Sequence, residues 1–116
     1  MNKTEIWHNP RCSKSRQTLE LLRENGVEPE ITLYKETPPS EGDIRAVLME
    51  LGLSPLDLIR QKDPAFKELG LPTDADNDTL IKAMAENSAI IERPVVRHGV
   101  KAALGRPPES VLALFK

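Results

Sequence analysis

Residues 5–34 read EIWHNPRCSKSRQTLELLRENGVEPEITLY, and this stretch decides the fold. Glu5-Ile6-Trp7 predicts a short strand that stops at Asn9-Pro10, a turn-forming pair. From Ser13 onward Leu19 and Leu22, with Leu21 beside them, recur at helical spacing as far as Asn25-Gly26, a pair that commonly ends a helix in the left-handed conformation. Val27, Ile31, Leu33 and Tyr34, the last three around β-branched Thr32, predict a second strand that ends before Thr37-Pro38-Pro39. The order is strand, loop with a cysteine, helix, strand. A βαβ unit is therefore expected to be complete by about residue 35.

The following stretch changes character. Ser40-Glu41-Gly42-Asp43 reads as a capping box, and Ile44, Val47, Leu48 and Leu51 follow at i, i+3, i+4 and i+7, which predicts a helix over about 41–51. Ser54-Pro55-Leu56-Asp57 repeats the signal, with a Ser cap and Pro at the first helical position, for a short helix through Ile59. A third helix is expected from near Asp76 to Asp78, with Leu80, Ile81 and Met84 on one face. Beyond it, Pro94-Val95-Val96 and Val100-Lys101-Ala102-Ala103-Leu104 flank Arg97-His98-Gly99 as a β-hairpin. Pro107-Pro108-Glu109 opens a last helix bearing Val111, Leu112 and Phe115. The whole reads β-α-β, helices, β-β-α. Two parallel strands beside an antiparallel hairpin predict an α/β, thioredoxin-like four-stranded mixed sheet flanked by helices, with a helical insertion at about 40–90 between the second and third strands. In such folds a cis proline precedes the strand that begins the hairpin, and Pro94 stands at the matching place, although only about 5–6% of X-Pro bonds are cis.

At 116 residues the chain has the size of one domain, so 1–116 is expected to form a single unit around a modest core. Lys plus Arg number 16 against 18 Asp plus Glu, a net charge of -2, where a nucleic-acid module would carry a strong basic excess. Trp7, Tyr34, Phe66 and Phe115 are scattered and offer no stacking platform for single strands. Met1-Asn2-Lys3-Thr4-Glu5 lacks the apolar run of a signal peptide, and no segment approaches the ~18 apolar residues of a membrane span. A cytoplasmic protein that binds neither nucleic acid nor membrane is the expectation. The single cysteine excludes an internal disulfide and is easiest to keep as a thiol in a reducing compartment.

Cys12 sits where the first strand gives way to the first helix. The unpaired N–H groups and positive dipole end of that helix favour a thiolate there. His8, Arg11, Lys14 and Arg16 lie close in sequence, and no acid occurs between Ile6 and Leu19. The expectation is a thiol ionised near neutral pH; the competing reading is a small buried hydrophobe. Cys12-Ser13-Lys14-Ser15 is a C-x-x-S, with no second thiol three positions on. The position six after the cysteine is Thr18, so this is not a C-x-x-x-x-x-R phosphate loop. One Cys and two His at unrelated positions do not make a metal site. Arg93 and Arg106 each precede a proline, which pushes them into extended conformation at element boundaries, and Arg60 closes the short helix after Leu58-Ile59. Arginine's planar fork suits bidentate capture of an oxyanion, although any single one is also an ordinary surface residue.

Trp7-His8-Asn9-Pro10-Arg11-Cys12-Ser13-Lys14-Ser15-Arg16, Leu58-Ile59-Arg60, Glu92-Arg93-Pro94-Val95-Val96 and Gly105-Arg106-Pro107 together resemble the glutaredoxin-dependent arsenate reductase family, in order and separation, over essentially the whole chain. Ser13-Lys14 departs from the small uncharged residues of well-studied members, and with the short ending it matches the shorter chromosomal branch. The resemblance implies that Cys12 is the nucleophile, that His8 lowers its pKa, and that Arg60, Arg93 and Arg106 bind arsenate or a similar oxyanion, with Ser15 and Pro94 as structural neighbours. It further implies a monomer with no bound cofactor, whose reductants are glutathione and glutaredoxin. Spx-type regulators, which bind RNA polymerase, resemble the same fold but mostly carry C-x-x-C; a monothiol oxidoreductase acting on another oxyanion is a further alternative.

Overall fold

The structure is a computed structural model that describes residues 3–72 and 74–115; the Met1-Asn2 start, Thr73 and Lys116 lie outside the described residues. The chain forms two compact units, one made of residues 1–37 with 93–116 and the other of residues 38–92.

The first unit holds the sheet. Strands β1 (Thr4–Trp7), β2 (Glu30–Thr32), β3 (Val95–His98) and β4 (Lys101–Leu104) lie in the order β2-β1-β3-β4. β1 runs parallel to β2 and antiparallel to β3, and β3 runs antiparallel to β4, which makes the expected mixed sheet. Ile6 pairs with Val96, and Val96 in turn with Ala103, so these three share one face. Helix α1 (Ser13–Glu24) and the final helical segment (Pro108–Phe115) cover that face, burying Leu19, Leu22, Val111 and Leu114 against Ile6 and Val96. Each such side chain, fully buried, contributes about 1.5–3 kcal/mol. On the opposite face Arg97 meets Glu5 across the ladder at 3.3 Å, and Thr32 Oγ1 donates to Glu5 Oε2 at 2.6 Å.

Two elements of this unit differ from the sequence reading, each for a physical reason. β2 stops at Thr32 rather than running through Tyr34, because the Leu33 carbonyl accepts from both Glu36 and Thr37 N–H and so turns the chain. Val27 is not in the strand either: its N–H closes the end of α1 on Leu22 O at 2.9 Å while Gly26 takes φ +79°. The last helix is a 3-10 helix. Its three-residue repeat puts Pro108, Val111 and Leu114 on the buried face and leaves Leu112 only partly covered. The Arg93–Pro94 peptide is cis, as expected, and so is Arg106–Pro107, which the sequence reading did not single out.

The second unit is helical. α2 (Glu41–Leu51) begins with the expected capping box: Asp43 N–H donates to Ser40 Oγ and Ser40 N–H to Asp43 Oδ2, both at 3.1 Å. α2 packs against α4 (Asn77–Glu86), burying Ile44, Val47 and Leu48 on the one helix and Leu80, Ile81 and Met84 on the other; the Asp76 cap of α4 accepts from Thr79 N–H. α3 is a short helix (Pro64–Glu68) that the sequence reading missed, although Asp63-Pro64 supplies both an N-cap and a first-position proline. Pro55–Leu58 is one 3-10 turn, in which Asp57 N–H donates to Ser54 O at 3.0 Å; the Ser54 hydroxyl makes no cap bond to a backbone N–H and instead donates to Asp57 Oδ2 at 2.8 Å.

Candidate functional site

The loop between β1 and α1 is built around Asn9, which is buried. Its carbonyl accepts from Cys12 N–H at 3.0 Å, its Oδ1 accepts from Arg11 N–H at 3.0 Å, and its own N–H donates to Ser15 Oγ at 3.0 Å. These bonds fix Cys12 as the N-cap of α1, in extended conformation with no side-chain cap bond and no acid in the first turn. The helix N-terminus is thus left to the thiol.

Cys12 is partly exposed and its pKa is lowered. Burial works against ionisation, but the backbone N–H groups of Ser15 and Lys14 and the hydrogen-bonding Arg93 guanidinium together outweigh it. This corrects the electrostatic picture drawn from sequence proximity. Lys14 acts through its backbone, Arg16 spends its guanidinium on Pro10 O at 3.0 Å, and His8 is not among the groups that shift the thiol.

His8 is buried, and its pKa is lowered by that burial and by the charges of Arg23 and Arg16. Its Nδ1 lies 2.6 Å from Ser15 Oγ. Because Ser15 Oγ already accepts from Asn9 N–H, its proton is free to go to Nδ1, which fits a neutral imidazole. The His8–Ser15 pair therefore locks the first turn of α1 to the loop, and reaches Cys12 through the Ser15 backbone.

Arg93 ends the segment before β3. It stays firmly protonated: burial disfavours the charge, but the Cys12 bond and the Tyr34 phenol favour it. Its Nε is buried and has no hydrogen-bond partner among the described residues. Tyr34 is fully buried and carried no sequence signal for this place; only the tertiary approach of the turn after β2 to Arg93 reveals it. Arg106 is exposed, and its Nε donates to Arg93 O at 2.8 Å, so the two pre-proline arginines are joined. Gly105 makes this approach possible. A Cβ there would stand 2.7 Å from Pro94 Cγ and closer still to Thr18 Oγ1, and Gly105 N–H donates to Pro94 O at 2.9 Å.

Arg60 belongs to the other unit. There it follows the Pro55–Leu58 turn, donates its N–H to Ile90 O at 2.8 Å and pairs with Asp63 at 3.3 Å and Glu92 at 3.8 Å. The structure therefore gathers Cys12, His8, Ser15, Arg93, Pro94 and Arg106 within the first unit, with Arg60 in the second. Among the described residues no cluster of three His, Cys, Asp or Glu side chains could hold a metal, and no helix is long and apolar enough to cross a membrane.

The arrangement can present a thiolate to an anion, with an arginine donor beside it to neutralise the approach. Comparison with known proteins gives the frame for that chemistry. Residues 7–114 match the model of the ArsC family. An arsenate reductase of Neisseria meningitidis is 45% identical over 99% of this chain and all of that protein. The uncharacterised protein YfgD of Escherichia coli K12 is 51% identical over 95% of this chain and 94% of its own length. The solved structure of an arsenate reductase from Vibrio cholerae superposes with a TM-score of 0.92 at 42% identity, covering 97% of each chain.

Proposed function

The chain belongs to the ArsC family, and from that premise we propose that it is an arsenate reductase working through Cys12. The observation that carries the reading is the thiol of Cys12 held against two backbone N–H groups and the Arg93 guanidinium, whose buried Nε has no partner among the described residues. Buried donors are nearly always satisfied, so one left over at a nucleophile is a natural place for a substrate oxygen.

In this reading the Cys12 thiolate attacks the arsenic of arsenate, forming an S–As(V) bond as one oxygen leaves as water. Arg93 and Arg106 offset the repulsion between two anions, with preorganised donors of this kind contributing on the order of 3 kcal/mol each. Arg60 takes the third oxyanion-binding role by family resemblance. Glutathione then displaces a second hydroxyl as water, giving a second As–S bond. The thiolate of glutaredoxin attacks the glutathione sulfur, the electron pair of that As–S bond passes to arsenic, and As(V) becomes As(III) with release of a glutaredoxin–glutathione disulfide. Hydrolysis of the remaining Cys12–As(III) bond frees arsenite and restores the thiol. The protein is read as a cytoplasmic monomer with no bound cofactor, acting in arsenical resistance. The test is arsenite formation from arsenate with glutathione and glutaredoxin supplied. Turnover that Cys12→Ser abolishes without unfolding the protein supports the reading; absence of turnover by the folded wild type overturns it.

A further inference from the structure

A cleft of about 270 Å³ lies beside the Cys12 loop, lined by residues 8–11 and by Leu33, Lys35 and Glu36 of the turn after β2. His8 and Asn9 belong to that lining although each is only 6% exposed. Asn9 donates its backbone N–H to Ser15 Oγ, accepts from Cys12 N–H through its carbonyl and accepts from Arg11 N–H through Oδ1, each at 3.0 Å. Only the amide oxygen can accept from the Arg11 N–H, so the flip of the side chain is fixed and Nδ2 is left with two donors. His8 donates its backbone N–H to Thr32 O at 2.9 Å, and its Nδ1 takes the Ser15 hydroxyl proton at 2.6 Å. A neutral imidazole that accepts at Nδ1 carries its own proton on Nε2. Neither Asn9 Nδ2 nor His8 Nε2 has a partner among the described residues, and neither atom is sealed in the interior.

Donors on buried side chains are nearly always satisfied, so two left over on neighbouring residues call for an acceptor from outside the chain. We propose that His8 Nε2 and Asn9 Nδ2 form an oxyanion subsite on the Cys12 loop, separate from the Arg93 donor, that takes a small tetrahedral anion of the sulfate or phosphate class. Both groups donate and neither can accept, which suits a ligand that only accepts and turns away a cation. Arg11 and Lys35 stand exposed in the same lining with Glu36 as its one carboxylate, and none of the three is in an ion pair among the described residues, so positive charge prevails around the two donors. The cleft is smaller than the roughly 300–1,000 Å³ of sites for drug-sized ligands, which fits a compact ion. The side chains are also held in place: Ser15 Oγ fixes the imidazole and the Arg11 N–H fixes the amide, so little ordering remains to be done when the anion arrives.

The experiment titrates the full chain with inorganic sulfate at constant ionic strength and follows the nitrogen and proton NMR signals of the Asn9 side-chain amide and of His8 Nε2. Both are expected to move together along one saturating curve, and sodium chloride in place of sulfate should not reproduce it. Asn9→Asp keeps the oxygen that accepts from Arg11 N–H and replaces the donor by a negative oxygen, so the affinity read at His8 should fall about tenfold or more, as for a lost hydrogen bond to a charged group. Arg93→Met should change the affinity read at Asn9 by less than about threefold, since the anion is not held by that guanidinium. Should Asn9→Asp fail to fold, Arg11→Gln/Lys35→Gln decides in its place, with an expected loss of about threefold to tenfold from two exposed charges. Signals that stay still, that follow chloride equally, or that lose their sulfate response in Arg93→Met overturn the subsite, as does an unchanged affinity in Asn9→Asp or in the double variant. Saturation by sulfate in a protein that turns over no arsenate keeps the subsite and removes only the reductase reading.

Discussion

Replacing Gly105 by Ala should cost more than its single methyl group suggests. The new Cβ would lie 2.7 Å from Pro94 Cγ and 3.1 Å from Pro94 Cδ, and nearer still to Thr18 Oγ1. Neither neighbour can step aside easily. The pyrrolidine is a ring anchored in the backbone, and the Thr18 hydroxyl is fully buried and donates to Lys14 O at 2.8 Å. Overpacking a rigid site costs typically ~1–3 kcal/mol, and two rigid obstacles place this substitution in the upper half, at about 2–3 kcal/mol. For a domain of this size that corresponds to a fall in Tm of roughly 10 °C. Urea unfolding followed by Trp7, the chain's single tryptophan and part of β1, measures it; the midpoint should fall with the slope unchanged. Thr18→Ala removes the closer obstacle, so Gly105→Ala should cost about 1 kcal/mol less in that background, a coupling within the range for contacting residues. An unmoved midpoint, or equal costs in both backgrounds, would refute the claim that close approach is what requires glycine here. Because Arg106 follows Gly105 and holds Arg93 O, the variant should also weaken oxyanion binding.

The depressed Cys12 pKa predicts alkylation by iodoacetamide with a midpoint below the ~8.5 of free cysteine, and Arg93→Met should move it upward. A group whose folded pKa is depressed binds fewer protons folded than unfolded between the two values, so the stability of wild type relative to Cys12→Ser should rise with pH through that window and level off above about 8.5. Stability flat in pH across the window would contradict it. Ser15→Ala leaves the Asn9 N–H and His8 Nδ1 without their shared partner in a buried place, and denaturant melts should register a loss of about 1–3 kcal/mol. In the final helix Leu114→Ala should cost about 2–4 kcal/mol and Leu112→Ala under about 1, since the three-residue repeat buries the former; the reverse order would restore the α-helical phase.

What the amino-acid sequence determined by itself is whatever depends on neighbours in the chain. The βαβ opening, the Ser40–Asp43 capping box, the hairpin at Gly99 and the placement of Cys12 at a helix N-terminus follow from periodicity, capping and turn chemistry within a few residues, and all were legible. So was the pairing of an arginine with each of Pro94 and Pro107. Elements whose ends are set by distant contacts were read less well: β2 is cut short where the chain turns to bury Tyr34, and the last helix narrows to a 3-10 repeat that packs Val111 and Leu114 on the sheet. α3 was missed for a different reason, since Asp63-Pro64 carries the start signal but no amphipathic repeat follows in five residues. Charge proximity along the chain also misled, because Coulomb energy depends on distance through space and on what each cation already holds. Arg16 is nearby in sequence yet bound to Pro10 O, while Arg93, eighty-one positions from Cys12, bonds its sulfur. Only the tertiary structure could decide that, since it takes the antiparallel placement of β3 beside β1 to carry the residue before Pro94 to the loop after Trp7.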